Sequence, residues 1–141
     1  MHYRAPAEIN VARILIVDDD SDVRALMAQS LVGAGYQVQS VEGGAEALES
    51  MSQRPPNAVL LDLMMRPPDG FEVLYRMRED PSLRAIPVVI VTAKDLTASE
   101  SEALAGFAQR VIRKASDPSR LVAEVLRAVQ EEKDRMSART A

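Results

Sequence analysis

The sequence predicts an α/β fold, a doubly wound parallel sheet of five strands with helices on both faces. Three observations carry this. Five short runs have strand composition, helical patterns separate them in alternation, and three of the runs are apolar throughout, as strands covered on both faces should be. With 141 residues, 47% apolar and 27% charged, the chain suits one folded domain with a full core.

The first run, Arg13-Ile14-Leu15-Ile16-Val17, is continuously apolar after its first residue. A helix follows, with Val23, Leu26, Met27, Ser30 and Leu31 on one face at i, i+3, i+4, i+7, i+8 spacing, stopped by Gly33-Ala34-Gly35. The second run, Gln37-Val38-Gln39-Ser40-Val41, alternates and suits an edge strand. A second helix fits Ala45 to Met51, before Pro55-Pro56. The third run is Ala58-Val59-Leu60-Leu61. The third helix, after Asp69-Gly70, carries Val73, Leu74 and Met77 and stops before Pro81. Val88-Val89-Ile90-Val91 forms the fourth run, and Thr97-Ala98-Ser99-Glu100 reads as a capping box that opens the fourth helix. Val111-Ile112 is the last strand. Asp117 then caps a final helix with Pro118 at its first position and Leu121, Val122, Val125, Leu126 and Val129 as its buried stripe. Residues 1–11 read as a flexible extension, 12–130 as the domain and 131–141 as a charged tail.

Composition excludes several classes. With no Trp, three Tyr and two Phe, the core must be aliphatic. The absence of Cys rules out disulfides and thiolate metal sites, and fits a cytoplasmic location. No apolar run approaches the roughly 20 residues of a membrane span, and the first residues have no signal-peptide core. A net charge of −4 argues against direct DNA binding.

Ligands of open α/β sheets bind beyond the carboxyl ends of the strands, at the point where strand order reverses. The first strand ends in Asp18-Asp19-Asp20, the third in Asp62 and the fourth in Thr92, while the fifth runs into Arg113-Lys114. With strand order 2-1-3-4-5, Asp18, Asp19 and Asp62 would lie side by side. Two carboxylates about 4 Å apart repel by roughly 4 kcal/mol at an effective dielectric of 20, so such a cluster calls for a cation. An all-oxygen site without His or Cys favours Mg2+. Lys114 and Thr92 add an ammonium and a hydroxyl, which together suit a phosphoryl group on a carboxylate. Any one of these residues alone is unremarkable: a lone Asp after a strand usually caps a helix, and Met64, Met65 and Met77 read as packing.

In Ile14-Leu15-Ile16-Val17-Asp18-Asp19, Leu60-Leu61-Asp62-Leu63-Met64-Met65 leading to Asp69-Gly70, Val91-Thr92-Ala93, and Lys114, the chain resembles the receiver domains of two-component response regulators over about residues 12–130. The resemblance implies the flavodoxin-like (βα)5 topology with order 2-1-3-4-5. It implies that Asp62 is the phosphoacceptor and that its donor is a sensor histidine kinase or a histidine phosphotransfer domain. Asp19, Asp62 and the Met64 backbone carbonyl would bind Mg2+ directly, and Asp18 through water. Lys114, Thr92 and Ala93 would meet the phosphoryl group, with Thr92 relaying its arrival to the fourth helix. The downstream target would be a protein partner or another part of a larger polypeptide, and dimerisation is open. No catalysis is implied beyond self-phosphotransfer and slow dephosphorylation.

Three positions depart from the family pattern. Arg66 stands where Pro is usual, Val111 replaces an aromatic that rotates on activation, and Ala115 replaces a cis-Pro. A non-proline cis bond costs about 2.5–4 kcal/mol, so a trans bond or a reshaped loop is expected after Lys114. These changes leave the site chemistry intact and remove the usual output switch. The stretch Thr92 to Thr97 with Lys114-Ala115 looks like modules attached to hybrid sensor kinases. Rival readings fare worse. Asp18-x-Asp20 resembles the nucleophile motif of haloacid-dehalogenase-type phosphatases, but nothing after Thr92 supplies their second acidic pair. The first strand-to-helix loop holds three Asp where a nucleotide phosphate cradle needs Gly.

Overall fold

Parallel strands joined by helical crossovers make up most of the computed structural model, which describes residues 12–108, 110–114 and 117–140, the last helix without the side chains of 136, 139 and 140. The order is β1 (Arg13–Val17), α1 (Ser21–Gly33), β2 (Gln37–Val41), α2 (Gly44–Gln53), β3 (Ala58–Leu61), α3 (Gly70–Glu79), β4 (Val88–Thr92), α4 (Ala98–Ala105), β5 (Arg110–Arg113) and α5 (Pro118–Thr140). All pairings are parallel and the sheet order is β2-β1-β3-β4-β5. Strand order therefore reverses between β1 and β3, and the edge position of the alternating β2 follows its sequence pattern.

The two-residue period of a strand divides the core in two. Leu15, Val17, Val59, Leu61, Val88 and Ile90 point to one face, where Met51 of α2, Leu74 and Met77 of α3 and Leu104 of α4 cover them. Ile14, Ile16, Leu60, Val89, Val91 and Ile112 point to the other, beneath Met27 and Leu31 of α1 and Leu121, Val125 and Val129 of α5. Among the described residues, no helix is long and apolar enough to cross a membrane.

Caps set the helix ends. The Asp20 side chain accepts hydrogen bonds from the Asp22 and Val23 amides and starts α1, while Gly35 takes φ +98° in the turn that ends it. Thr97 and Glu100 form the expected capping box of α4, whose one buried side chain is Leu104. The Asp117 carboxylate accepts from the Ser119 amide at the start of α5.

The stretch read as a charged tail is largely exposed and continues α5 as helix to Thr140. Its charges pair along the helix and with β5. Gln130 donates to Asp134 at 2.9 Å, Arg135 meets Glu132 at 2.6 Å, and Glu131 pairs with Arg110 of β5. The Lys133 ammonium lies 5.6 Å from the centre of the Tyr36 ring. The expected N-terminal extension, residues 1–11, and Ala115 lie outside the described residues.

Candidate functional site

Strand register builds the site before any side chain is considered. Val17 of β1 lies opposite Leu61 of β3, so Asp18 and Asp62 leave neighbouring central strands at the same level. The Asp62 amide donates to the Val17 carbonyl at 2.9 Å, and the Asp18 amide donates to Val41 at 3.2 Å. Both carboxylates are buried and Asp19 is exposed. One oxygen from each of Asp18, Asp19 and Asp62 falls within 4.8 Å of the others.

Lys114 closes the cluster from the far side. It follows β5, its amide donates to the Thr92 carbonyl at 2.8 Å, and its ammonium lies 2.7 Å from Asp18 Oδ2 and 3.2 Å from Asp62 Oδ2. Asp18 is further fixed through Oδ1, which accepts the Asp20 amide at 2.9 Å, and through its carbonyl, which accepts from Arg24 at 2.7 Å. Asp62 Oδ1 accepts the Met64 amide at 3.2 Å. Asp18 Oδ2 touches the ammonium as an ion contact without a well-directed hydrogen bond. It is the only such buried side-chain oxygen among the described residues.

These environments set the charges. Burial pushes the Asp18 carboxyl above its ordinary range, and the Asp62 charge adds to this, while Lys114 and the Asp20 amide pull it back. Burial alone would lower Lys114, but its close contact with Asp18 and its attraction and hydrogen bond to Asp62 leave its ammonium raised. At 4.8 Å two carboxylates repel by about 3.5 kcal/mol at an effective dielectric of 20, so one ammonium only partly offsets three acids.

The donor set fits a hard divalent cation. It offers carboxylate oxygens only, two of them from buried residues, with one oxygen of Asp18 lacking a directed hydrogen bond. Asp18, Asp19 and Asp62 are the residues that could hold Mg2+. Met64 adjoins them, with its side chain 55% exposed and its amide engaged by Asp62.

Of the other expected residues, Thr92 is fully buried at the end of β4, and its hydroxyl accepts the Lys94 amide at 3.2 Å rather than meeting the acids. Ala93 is exposed beside it. Sequence reasoning missed Arg24, whose contact with the Asp18 carbonyl has no motif to announce it. It also gave Gly70 no role. A Cβ there would lie 2.2 Å from the Asp62 carbonyl oxygen and 2.6 Å from the Leu63 Cα, so only Gly lets α3 start against the Asp62 loop. Its place after Asp69, at a helix start, was the available signal.

A family profile described as the response regulator receiver domain matches residues 14–126. The chain belongs to that family. Response regulator PleD of Caulobacter vibrioides is 38% identical over 115 residues, which cover 81% of this chain and 25% of PleD. Response regulator MprA of Mycobacterium sp. (strain KMS) is 42% identical over 95 residues, 67% of this chain and 39% of MprA. The chain thus spans about a quarter to two fifths of the length of these relatives. Among solved structures, the N-terminal domain of a response regulator receiver protein from Methanoculleus marisnigri JR1 superposes with TM-score 0.72 at 35% identity, covering 82% of this chain and 94% of that one. The phosphorylated cyanobacterial phytochrome response regulator RcpA gives TM-score 0.75 at 25% identity, over 86% and 92%. The protein is therefore a receiver domain, a signalling unit of two-component systems with the flavodoxin-like sheet order.

Proposed function

We propose that this receiver domain accepts a phosphoryl group on Asp62 from the phosphohistidine of a sensor histidine kinase or histidine phosphotransfer domain in the cytoplasm. It then signals to a protein partner by changing conformation. One observation carries the reading: the buried Asp62 carboxylate has an oxygen within 4.8 Å of oxygens of Asp18 and Asp19, and the ammonium of Lys114 lies 3.2 Å from it. Asp18 is held by the Asp20 amide and Arg24, Asp19 faces solvent, and the place of Asp62 after β3 matches the phosphoacceptor of the receiver family, which supports Asp62 as the acceptor. Asp19, Asp62 and the Met64 carbonyl would hold Mg2+ directly, with Asp18 reaching it through water. When bound, the ion would neutralise charge on the phosphoryl oxygens.

This chain's residues do the rest. Lys114 would contact a phosphoryl oxygen at Asp62. The Thr92 hydroxyl and the Ala93 amide would donate to another once the Thr92 side chain leaves the Lys94 amide. Transfer makes an O–P bond at Asp62 and breaks the P–N bond of the donor histidine, which leaves with the electron pair. The test is treatment with acetyl phosphate and Mg2+, read by intact mass. We expect a gain of one phosphoryl group, labile to hydroxylamine and absent in Asp62→Asn. A variant still modified at the wild-type rate would refute the assignment.

A further inference from the structure

Beside the acidic cluster lies an open cleft of about 480 Å³ between the β2–α2 turn and the β3–α3 loop. Asp19 belongs to both the cleft and the cluster. The two loops meet closely at the cleft wall, since a Cβ on Gly44 would lie 2.4 Å from the Pro68 carbonyl oxygen. Its charged lining is Asp19, Glu42, Glu46 and Arg66. Arg66 is the single cation among them and is exposed. It forms no ion pair with either glutamate among the described residues.

We propose that Arg66 is a positioning residue for the phosphoryl donor, attracting its dianionic phosphate into this cleft and toward Asp62. The inference rests on the proposed phosphoacceptor role of Asp62. A donor dianion approaching from this side meets three carboxylates, and a field of one sign at the mouth of a cleft raises or lowers the local concentration of a charged reactant. A guanidinium without a carboxylate partner is free to take two phosphate oxygens at once. With acetyl phosphate as donor, an Asp62 oxygen bonds to phosphorus as the phosphorus–oxygen bond to the acetyl group breaks. Acetate leaves with the electron pair, and no further reactant is needed. Arg66 touches the donor only as it enters, so its effect belongs in the donor KM and not in the maximal rate.

The test is the rate of Asp62 modification against acetyl phosphate concentration, with saturating Mg2+, in the full chain carrying Arg66→Ala, Arg66→Lys or Arg66→Glu. We expect Arg66→Ala to raise KM about fivefold with the maximal rate kept, Arg66→Lys to recover most of it, and Arg66→Glu to exceed Arg66→Ala. The differences should shrink as salt rises from about 0.05 to 0.5 M. The same charge acts oppositely on a cation, so Arg66→Glu should bind Mg2+ more tightly than wild type, read from its melting temperature. A folding defect would weaken both. An unchanged KM in Arg66→Glu, a loss confined to the maximal rate, or a salt-independent effect would overturn the inference while leaving the Asp62 assignment standing. A wild-type Asp62 that takes no phosphoryl group would overturn both.

Discussion

Replacing Lys114 by Met tests how the acidic cluster is balanced when no divalent ion is supplied. The ammonium lies 2.7 Å from Asp18 and 3.2 Å from Asp62. At an effective dielectric of 20 these contacts amount to about 6 and 5 kcal/mol of attraction. Desolvation of an ammonium whose side chain is only 15% exposed offsets several kcal/mol of this. Met keeps the apolar stem, removes the charge and leaves two buried acids facing each other. Losing one partner of a buried pair costs about 3–5 kcal/mol. The loss falls at the low end here, because burial already raises the Asp18 carboxyl above its ordinary range and so lowers the cost of neutralising it. We expect Lys114→Met to lose about 3 kcal/mol in urea unfolding at neutral pH in EDTA, and millimolar Mg2+ to restore most of it. The pH dependence has a definite sign. A cation raised in the folded state stabilises fully below its ordinary value of 10.5, and that contribution is lost as pH rises through the folded value. The wild-type advantage should therefore vanish on the alkaline side. It should also narrow in acid, since a raised carboxyl is a cost at neutral pH that protonation relieves as pH falls through its folded value. A variant within about 0.5 kcal/mol of wild type in EDTA would refute the reasoning.

Mg2+ should stabilise the wild type by about 2.7 kcal/mol at one hundred times its dissociation constant, and Asp19→Ala should abolish that gain in the same urea titration. Gly70→Ala should cost about 2 kcal/mol and slow Asp62 modification, because its Cβ would meet the Asp62 carbonyl oxygen at 2.2 Å; an unchanged urea midpoint would show that the loop yields freely. Hydrogen exchange with beryllofluoride, a phosphoryl mimic, should alter protection across Thr92–Gly106. Changes confined to other segments would count against α4 as the responding element.

The fold was legible because its signals were redundant. Uninterrupted apolar runs at β1, β3 and β4 required cover on both faces, and the structure buries them between two helical layers. Where local and tertiary signals combine, the sequence is less explicit. The stretch from Glu131 to Thr140 reads as charged and solvated, and most of its described side chains are exposed, but its helix is sustained by pairing with Arg110 and along its own turns, which composition does not announce. The acids and Lys114 were legible from their places at strand ends. The ion contacts among them depend on side-chain reach across the sheet, which spacing does not encode. Arg24 and Gly70 act through backbone atoms of Asp18 and Asp62, and such contacts leave no pattern in side-chain chemistry.

The departure at Val111 bears on output more than on chemistry. Val111 is short, branched and 41% exposed, with no ring to exchange between two positions. What remains beside Thr92 is a chain of polar contacts. The Thr92 hydroxyl accepts the Lys94 amide, Lys94 pairs with Glu100 at 3.4 Å, and Glu100 caps Thr97 at the start of α4. The far end of α4 is tied by Arg78, which donates to the Phe107 carbonyl and also to Arg84 and Ile86. Between these two fastenings the helix is eight residues long and buries only Leu104. A helix so lightly packed is governed by its ends. If Thr92 turns its hydroxyl to a phosphoryl group, it releases the Lys94 amide and disturbs the fastening at the N-terminal end. On the proposed role of Asp62, that would give this domain a route from the phosphoacceptor to α4 that needs no aromatic switch.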